Sequence, residues 1–326
     1  MGIKIAGTGS YIPDKVLTNF DLQKMVDTSD EWIQVRTGIV ERHIAPPEMT
    51  TGDMAVRASE KALEMAGVSG SEVSAVIVAT TTPDYAFPNT ASLVQKSIGA
   101  GAAFGFDISA ACSGMIYSLE LAYSLLLQKK YRYVLLCGAE KLSCITNWKD
   151  RNTCVLFGDG AGAVLLERRD GCDSGQIASD LHIDGNYREI LQLPAGGSKN
   201  PASHETVDKD MHYIHMLGRE TFKLAVNAMA GACRKVIAEA GMDSSQIKLV
   251  IPHQANKRII EAVAQRIGVQ HEQVFINVNK YGNTSAASIA ICLDEAFRSG
   301  RIHTGDVILL VAFGSGLTWG AQLLRV

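Results

Sequence analysis

Val73-Ser-Ala-Val-Ile-Val-Ala79 follows a helical stretch at residues 56–65 that closes on Ala66-Gly67. The same order returns later, where a helical 225–239 closes on Ala240-Gly241 and leads into Ile247-Lys-Leu-Val-Ile251. Gly67 and Gly241 are 174 residues apart, and so are Val73 and Ile247. Short β-rich apolar runs after amphipathic helices read as strands of a buried sheet covered by helices. Working outward, residues 89–98 read as a helix ended by Gly99 before a strand at 104–108. Residues 256–267 read as one ended by Gly268 before a strand at 274–278. Loops of small residues then open apolar helices at 112–127 and 284–297, and a final strand follows each, at 133–137 and 307–311. The order helix, strand, helix, strand, helix, strand is thus written twice. It predicts a duplicated α/β architecture with units 1–170 and 171–326. The irregular stretch 168–219 reads as a connection with edge strands at 175–182 and 190–193.

Composition agrees. The chain has 326 residues, Lys+Arg 31 against Asp+Glu 34 for a net charge of −3, and 47% hydrophobic residues, which predicts a globular body with ample core. A mildly acidic balance gives no global reason to bind nucleic acid, so an anionic partner would need a local basic patch. The longest apolar run, 307–313, is far short of the roughly 18 residues of a membrane span, so a soluble protein is expected. The first ten residues hold one Lys and do not read as a secretory signal, and Ala6 stands where a myristoylation motif wants Ser or Thr. The 7 cysteines are odd in number and scattered without a CxxC pair, which fits a reducing cytoplasm.

In open α/β sheets chemistry gathers at the carboxyl ends of strands. Cys112, in Asp107-Ile-Ser-Ala-Ala-Cys-Ser-Gly114, joins a strand to a helix through small residues. A thiol at a helix N-terminus is expected to favour the thiolate and to lie near free backbone N–H groups, although cysteine is also often simply buried. The other cysteines lack that setting. His253, in Val-Ile-Pro-His-Gln-Ala-Asn256, also stands at a strand end, where it could be a satisfied core residue or a catalytic group. An offset of 170 between the halves sets Cys112 opposite Gly282, beside Asn283, which by itself could be a turn or cap residue. Gly158-Asp-Gly-Ala-Gly162 has dinucleotide-loop glycine density but precedes a β-rich run, so it reads as a turn between strands. His212 and His215 lack further ligands nearby, and no metal site is expected.

Five segments together are distinctive: residues 30–39 (Asp-Glu-Trp-Ile-Gln-Val-Arg-Thr-Gly-Ile), 110–114 (Ala-Ala-Cys-Ser-Gly), 253–256 (His-Gln-Ala-Asn), 282–285 (Gly-Asn-Thr-Ser) and 313–320 (Phe-Gly-Ser-Gly-Leu-Thr-Trp-Gly). Over essentially the whole chain they resemble the β-ketoacyl-acyl carrier protein synthase III family, condensing enzymes of the thiolase superfamily. The resemblance implies a duplicated thiolase-like αβαβα five-layered fold, a homodimer, and no cofactor, coenzyme A thioester being a substrate. It implies Cys112 as nucleophile with His253 and Asn283 completing the site, and backbone N–H groups of Cys112 and Ser315 as oxyanion donors. It implies that Trp32 and Arg151 sandwich the adenine of coenzyme A, with Thr28, Arg36 and Asn256 near it, and that Phe87 reaches across from a dimer partner to close the acyl pocket. An acidic carrier protein would dock on Lys223, Gln254, Ala255, Asn256, Lys257, Arg258 and Arg266, with Gln265 standing where some members carry a basic residue. The implied reaction joins a short acyl-CoA to malonyl-acyl carrier protein. A biosynthetic thiolase would place a second cysteine within 311–316, where none occurs. A relative in secondary metabolism with another primer or acceptor is the alternative.

Overall fold

The computed structural model describes residues 2–326. In chain order its main elements are β1 (Gly2–Tyr11), α1 (Asp30–Thr37), α2 (Thr51–Ala66), β2 (Val73–Ala79), α3 (Thr90–Ser97), β3 (Phe104–Ile108), α4 (Gly114–Leu126), β4 (Tyr133–Glu140) and β5 (Gly160–Arg169). There follow β6 (Gly175–Ile183), α5 (Gly218–Glu239), β7 (Leu249–Pro252), α6 (Lys257–Ile267), α7 (Ala287–Arg298), β8 (Val307–Gly314) and β9 (Thr318–Arg325). The helix stops read from sequence hold: Gly67 and Gly268 cap α2 and α6 in the left-handed conformation, at φ 65° and 73°.

One sheet runs β1-β5-β4-β2-β3 and the other β6-β9-β8-β7, so the strands of each sheet lie on one side of residue 170. Pairing matches step for step. β1/β5 and β5/β4 are antiparallel while β4/β2 and β2/β3 are parallel; β6/β9 and β9/β8 are antiparallel while β8/β7 is parallel. The counterpart of β3 is reduced to one parallel bridge, Val250 to Val274. The strand expected at 274–278 does not form because a side chain takes its place. Gln254 Oε1 accepts from the backbone N–H groups of Asn277 and Val278, and its Nε2 donates to the carbonyls of Phe275 and Pro252.

Burial arranges the layers. α4 and α7 pack between the two sheets, with Met115, Leu119, Ile289 and Leu293 against Ile77, Leu136, Ile251 and Leu310. α2 and α3 cover the outer face of the first sheet, and α5 and α6 that of the second. The result is five layers, αβαβα. The nearly continuous burial of Ala287 to Leu293 fits a helix with sheet on both faces. Residues 158–162 are only partly turn, since β5 begins at Gly160 inside the sheet. Gly162 lets α7 lie directly on it: a Cβ there would stand 2.6 Å from the Ile291 nitrogen.

The central helices begin later than the sequence suggested, at Gly114 and Ala287, each behind a tight turn holding a residue at φ 47°, Ala111 and Ser285. These strained residues are 174 apart, so the repeat keeps the spacing of Gly67 and Gly241 into its centre. The offset of 170 is therefore wrong locally: Cys112 corresponds to Ala286, and Asn283 reaches the site from the loop before the second turn.

Candidate active site

Cys112 sits in a 3-10 turn, Ala111–Ser113, between β3 and α4. The turn is held from above by the segment linking β8 to β9. Thr318 Oγ1 donates to the Ala110 carbonyl (3.0 Å), and Ser113 Oγ to that of Thr318 (3.0 Å). Gly314 is pressed so close that a Cβ would lie 2.7 Å from the Cys112 nitrogen. Ser315, next in that segment, lines the same cavity as Cys112 and anchors its side chain on the Leu191 carbonyl.

The expected thiolate is not what this environment favours. Burial pushes the Cys112 thiol up to about 12; the Ser285 hydroxyl pulls it down and the nearby Glu140 carboxylate adds to the rise. The resting nucleophile is a thiol, and its proton must leave as the thioester arrives. Glu140 is a site feature the sequence reading passed over. Fully buried at the end of β4, it accepts bonds from the Thr81 backbone and from the hydroxyls of Thr80, Thr81, Thr82 and Ser285. A charge ending an all-apolar strand run was the available signal.

His253 follows β7, and its backbone N–H continues the ladder by donating to the Val311 carbonyl (2.8 Å). Its side chain is buried, and that burial lowers its pKa to about 3, so the ring is neutral at physiological pH. Nδ1 lies 2.7 Å from Ser288 Oγ. Asn283 is stitched to the other half by two backbone bonds, its N–H to the Leu156 carbonyl and its carbonyl to the Gly158 N–H. Its Oδ1 accepts from the Ser285 backbone (2.8 Å), which leaves the Nδ2 hydrogens to donate. Cys112, His253 and Asn283 line one cavity of about 1110 Å³. The arrangement offers a nucleophile and two neutral donors.

Trp32, Arg36 and Asn256 line the same cavity. Arg36 and Arg151 both stand over the Trp32 ring, at 4.7 and 4.9 Å from its centre, and Arg151 also donates to the Asp27 carbonyl (2.7 Å). A base held between Trp32 and Arg151 needs about 7 Å, two contact distances. Arg151 must therefore withdraw before the expected sandwich can form. Thr28 lies outside the cavity lining, its Oγ1 buried without a partner among the described residues.

Of the residues assigned to docking, Lys223, Lys257, Arg258 and Arg266 are exposed on α5 and α6. Arg258 lies over Phe222, and Asn256 caps α6 while donating to the Arg36 carbonyl. Ala255 lines the cavity. Gln254 is different: it is 1% exposed and spends its amide on the 252–278 backbone, so it cannot touch a docking protein. Phe87 is 86% exposed and lines no part of this chain's cavity.

A duplicated thiolase-like fold with a cysteine, a neutral histidine and an asparagine in one cavity defines a thiol-dependent condensing enzyme, an acyltransferase. Two family models, 3-oxoacyl-[acyl-carrier-protein] synthase III and its C-terminal counterpart, match residues 106–185 and 237–326. The beta-ketoacyl-[acyl-carrier-protein] synthase III of Caldanaerobacter subterraneus subsp. tengcongensis is 54% identical over 321 residues, 98% of this chain and 97% of that one. The crystal structure of 3-oxoacyl-[acyl-carrier-protein] synthase III from Aquifex aeolicus superposes with a TM-score of 0.92 at 50% identity, covering 100% of both chains. The priming beta-ketosynthase of the R1128 polyketide biosynthetic pathway gives 0.91 at 33%, covering 100% of this chain and 96% of that one. The chain belongs to the 3-oxoacyl-[acyl-carrier-protein] synthase III family.

Proposed function

We propose that this chain initiates type II fatty acid synthesis by decarboxylative condensation of a short acyl-CoA, acetyl-CoA by preference, with malonyl-acyl carrier protein. The convergence of Cys112, His253 and Asn283 on one cavity carries this reading. The Cys112 sulfur attacks the acyl-CoA carbonyl, the carbon–sulfur bond to coenzyme A breaks, and coenzyme A leaves as the thiol. Backbone N–H groups of Cys112 and Ser315 hold the oxyanion. Malonyl-acyl carrier protein then loses carbon dioxide. The electron pair of the broken carbon–carbon bond forms an enolate, whose oxygen takes donors from Asn283 Nδ2 and His253 Nε2. The enolate carbon attacks the acyl-Cys112 carbonyl and expels the sulfur, giving 3-oxoacyl-acyl carrier protein. A histidine kept neutral by burial suits this step, which needs a donor and no strong base.

Around this chemistry we place the coenzyme A end at Trp32, Arg36 and Asn256, with Arg151 and Thr28 beside it, and the acidic carrier on Lys223, Lys257, Arg258 and Arg266. The enzyme would act as a cytoplasmic homodimer of chains with units 1–170 and 171–326, Phe87 closing the partner's acyl pocket. No helix among the described residues is long and apolar enough to cross a membrane, in keeping with a soluble carrier. The 54% identity to the Caldanaerobacter synthase III, against 33% for the polyketide priming enzyme, supports primary metabolism. Intact-mass spectrometry after acetyl-CoA treatment tests the reading: the wild type gains one acetyl group and Cys112→Ala gains none. An unacetylated wild type would overturn it.

A further inference from the structure

Ser288 lies in the first turn of α7, 2% exposed, with its Oγ 2.7 Å from His253 Nδ1 and 3.4 Å from the Gln254 backbone nitrogen. The Gln254 N–H can only donate, so the hydroxyl oxygen accepts there. The hydroxyl has one proton to give. Buried Ser118 and Thr37 give theirs to the carbonyl four residues back, on Gly114 and Ile33, the usual habit of such side chains in a helix. Ser288 makes no such bond among the described residues, and the acceptor in its reach is the imidazole nitrogen. A hydroxyl that donates to Nδ1 fixes the ring proton on Nε2.

We propose that Ser288 is a positioning residue that holds His253 in the Nε2–H tautomer. This deepens the reading given above and rests on His253 donating to the thioester oxygen. In the opposite tautomer Nε2 would face that oxygen with a lone pair, and the enolate would lose one of its two side-chain donors. Acylation of Cys112 uses backbone donors and is untouched, so Ser288 governs one half-reaction and not the other.

The test uses the full-length enzyme and separates the halves. Ser288→Ala should lower carbon dioxide release from malonyl-acyl carrier protein by about tenfold or more, the loss of roughly one hydrogen bond to a developing charge. Acetylation of Cys112 should stay within about twofold of wild type, and Ser288→Thr should recover most of the lost rate. The ¹⁵N spectrum of the wild-type His253 ring should show the proton on Nε2, a readout independent of whether the alanine variant folds. Decarboxylation at the wild-type rate in Ser288→Ala, or a ring protonated on Nδ1 in the wild type, overturns the proposal. His253→Ala is the control for the underlying reading. If it decarboxylates normally, the donor role of His253 fails and this inference with it; if it is crippled while Ser288→Ala is not, only the inference fails.

Discussion

Burial of His253 sets a pH signature that can be worked out in advance. Folding lowers its pKa from the ordinary 6.5 to about 3, because the enclosed ring cannot carry its charge in contact with water. As pH falls below 6.5 the unfolded chain takes up a proton at this position and the folded one does not. Stability is therefore lost with acidification, through a window from 6.5 down to about 3. Between pH 7 and pH 5 this residue alone should cost about 2 kcal/mol. The perturbation is His253→Gln, which removes the titrating ring while keeping a polar side chain of similar reach. Urea unfolding of both proteins at pH 7 and pH 5, at one protein concentration, isolates the contribution, since the other histidines titrate in both. The wild type should lose about 2 kcal/mol more than the variant across that interval. Equal losses would refute the claim that burial holds His253 neutral.

Two further outcomes separate structural from docking roles around α6. Gln254→Ala orphans the N–H groups of Asn277 and Val278 and should lower stability by about 3 kcal/mol or more, read as a fall in urea midpoint; the folded fraction should bind the carrier protein as before. Reversing charge at Lys257 and Arg258 together should raise KM for malonyl-acyl carrier protein by about tenfold at low salt, with the difference shrinking as salt is added. Acetylation from acetyl-CoA then stays near wild type, and a KM unchanged at low salt would exclude α6 from the docking face.

The duplicated body was legible because strands buried on both faces write themselves as apolar runs, and Val73 to Ala79 and Ile247 to Ile251 sit at one spacing beside matching glycine stops. Cys112 and His253 were legible as candidates because each follows an apolar strand run, whereas Asn283, in Lys280-Tyr-Gly-Asn283, drew its role only from the family resemblance. What escaped reading depends on side chains meeting across long sequence separations. Residues 274–278 have a strand's composition, yet Gln254, over twenty residues earlier, occupies the backbone groups a ladder would use. Its place in His-Gln-Ala-Asn suggested a surface role, and only burial distinguishes it from Lys257. The thiolate expected of Cys112 is opposed for a related reason: a helix start is visible in sequence, but the desolvation that raises the thiol's pKa is not. Glu140 and Ser288 went unremarked because their partners, Ser285 and His253, come near only when α7 is slotted between the sheets.

The unequal ends of the two sheets limit how chains can associate. β3 leaves one edge of the first sheet with unpaired backbone groups, and its Phe104 is 40% exposed. The equivalent edge of the second sheet is already occupied by a side-chain amide and a single bridge. Gene duplication would otherwise have given each chain two matching adhesive edges, and head-to-tail growth into fibres would follow readily. With one of the pair plugged, the β3 edge alone of these two keeps free backbone groups at which strand addition could begin. A single glutamine side chain thus removes from the second sheet the sticky edge that the repeat would have copied there.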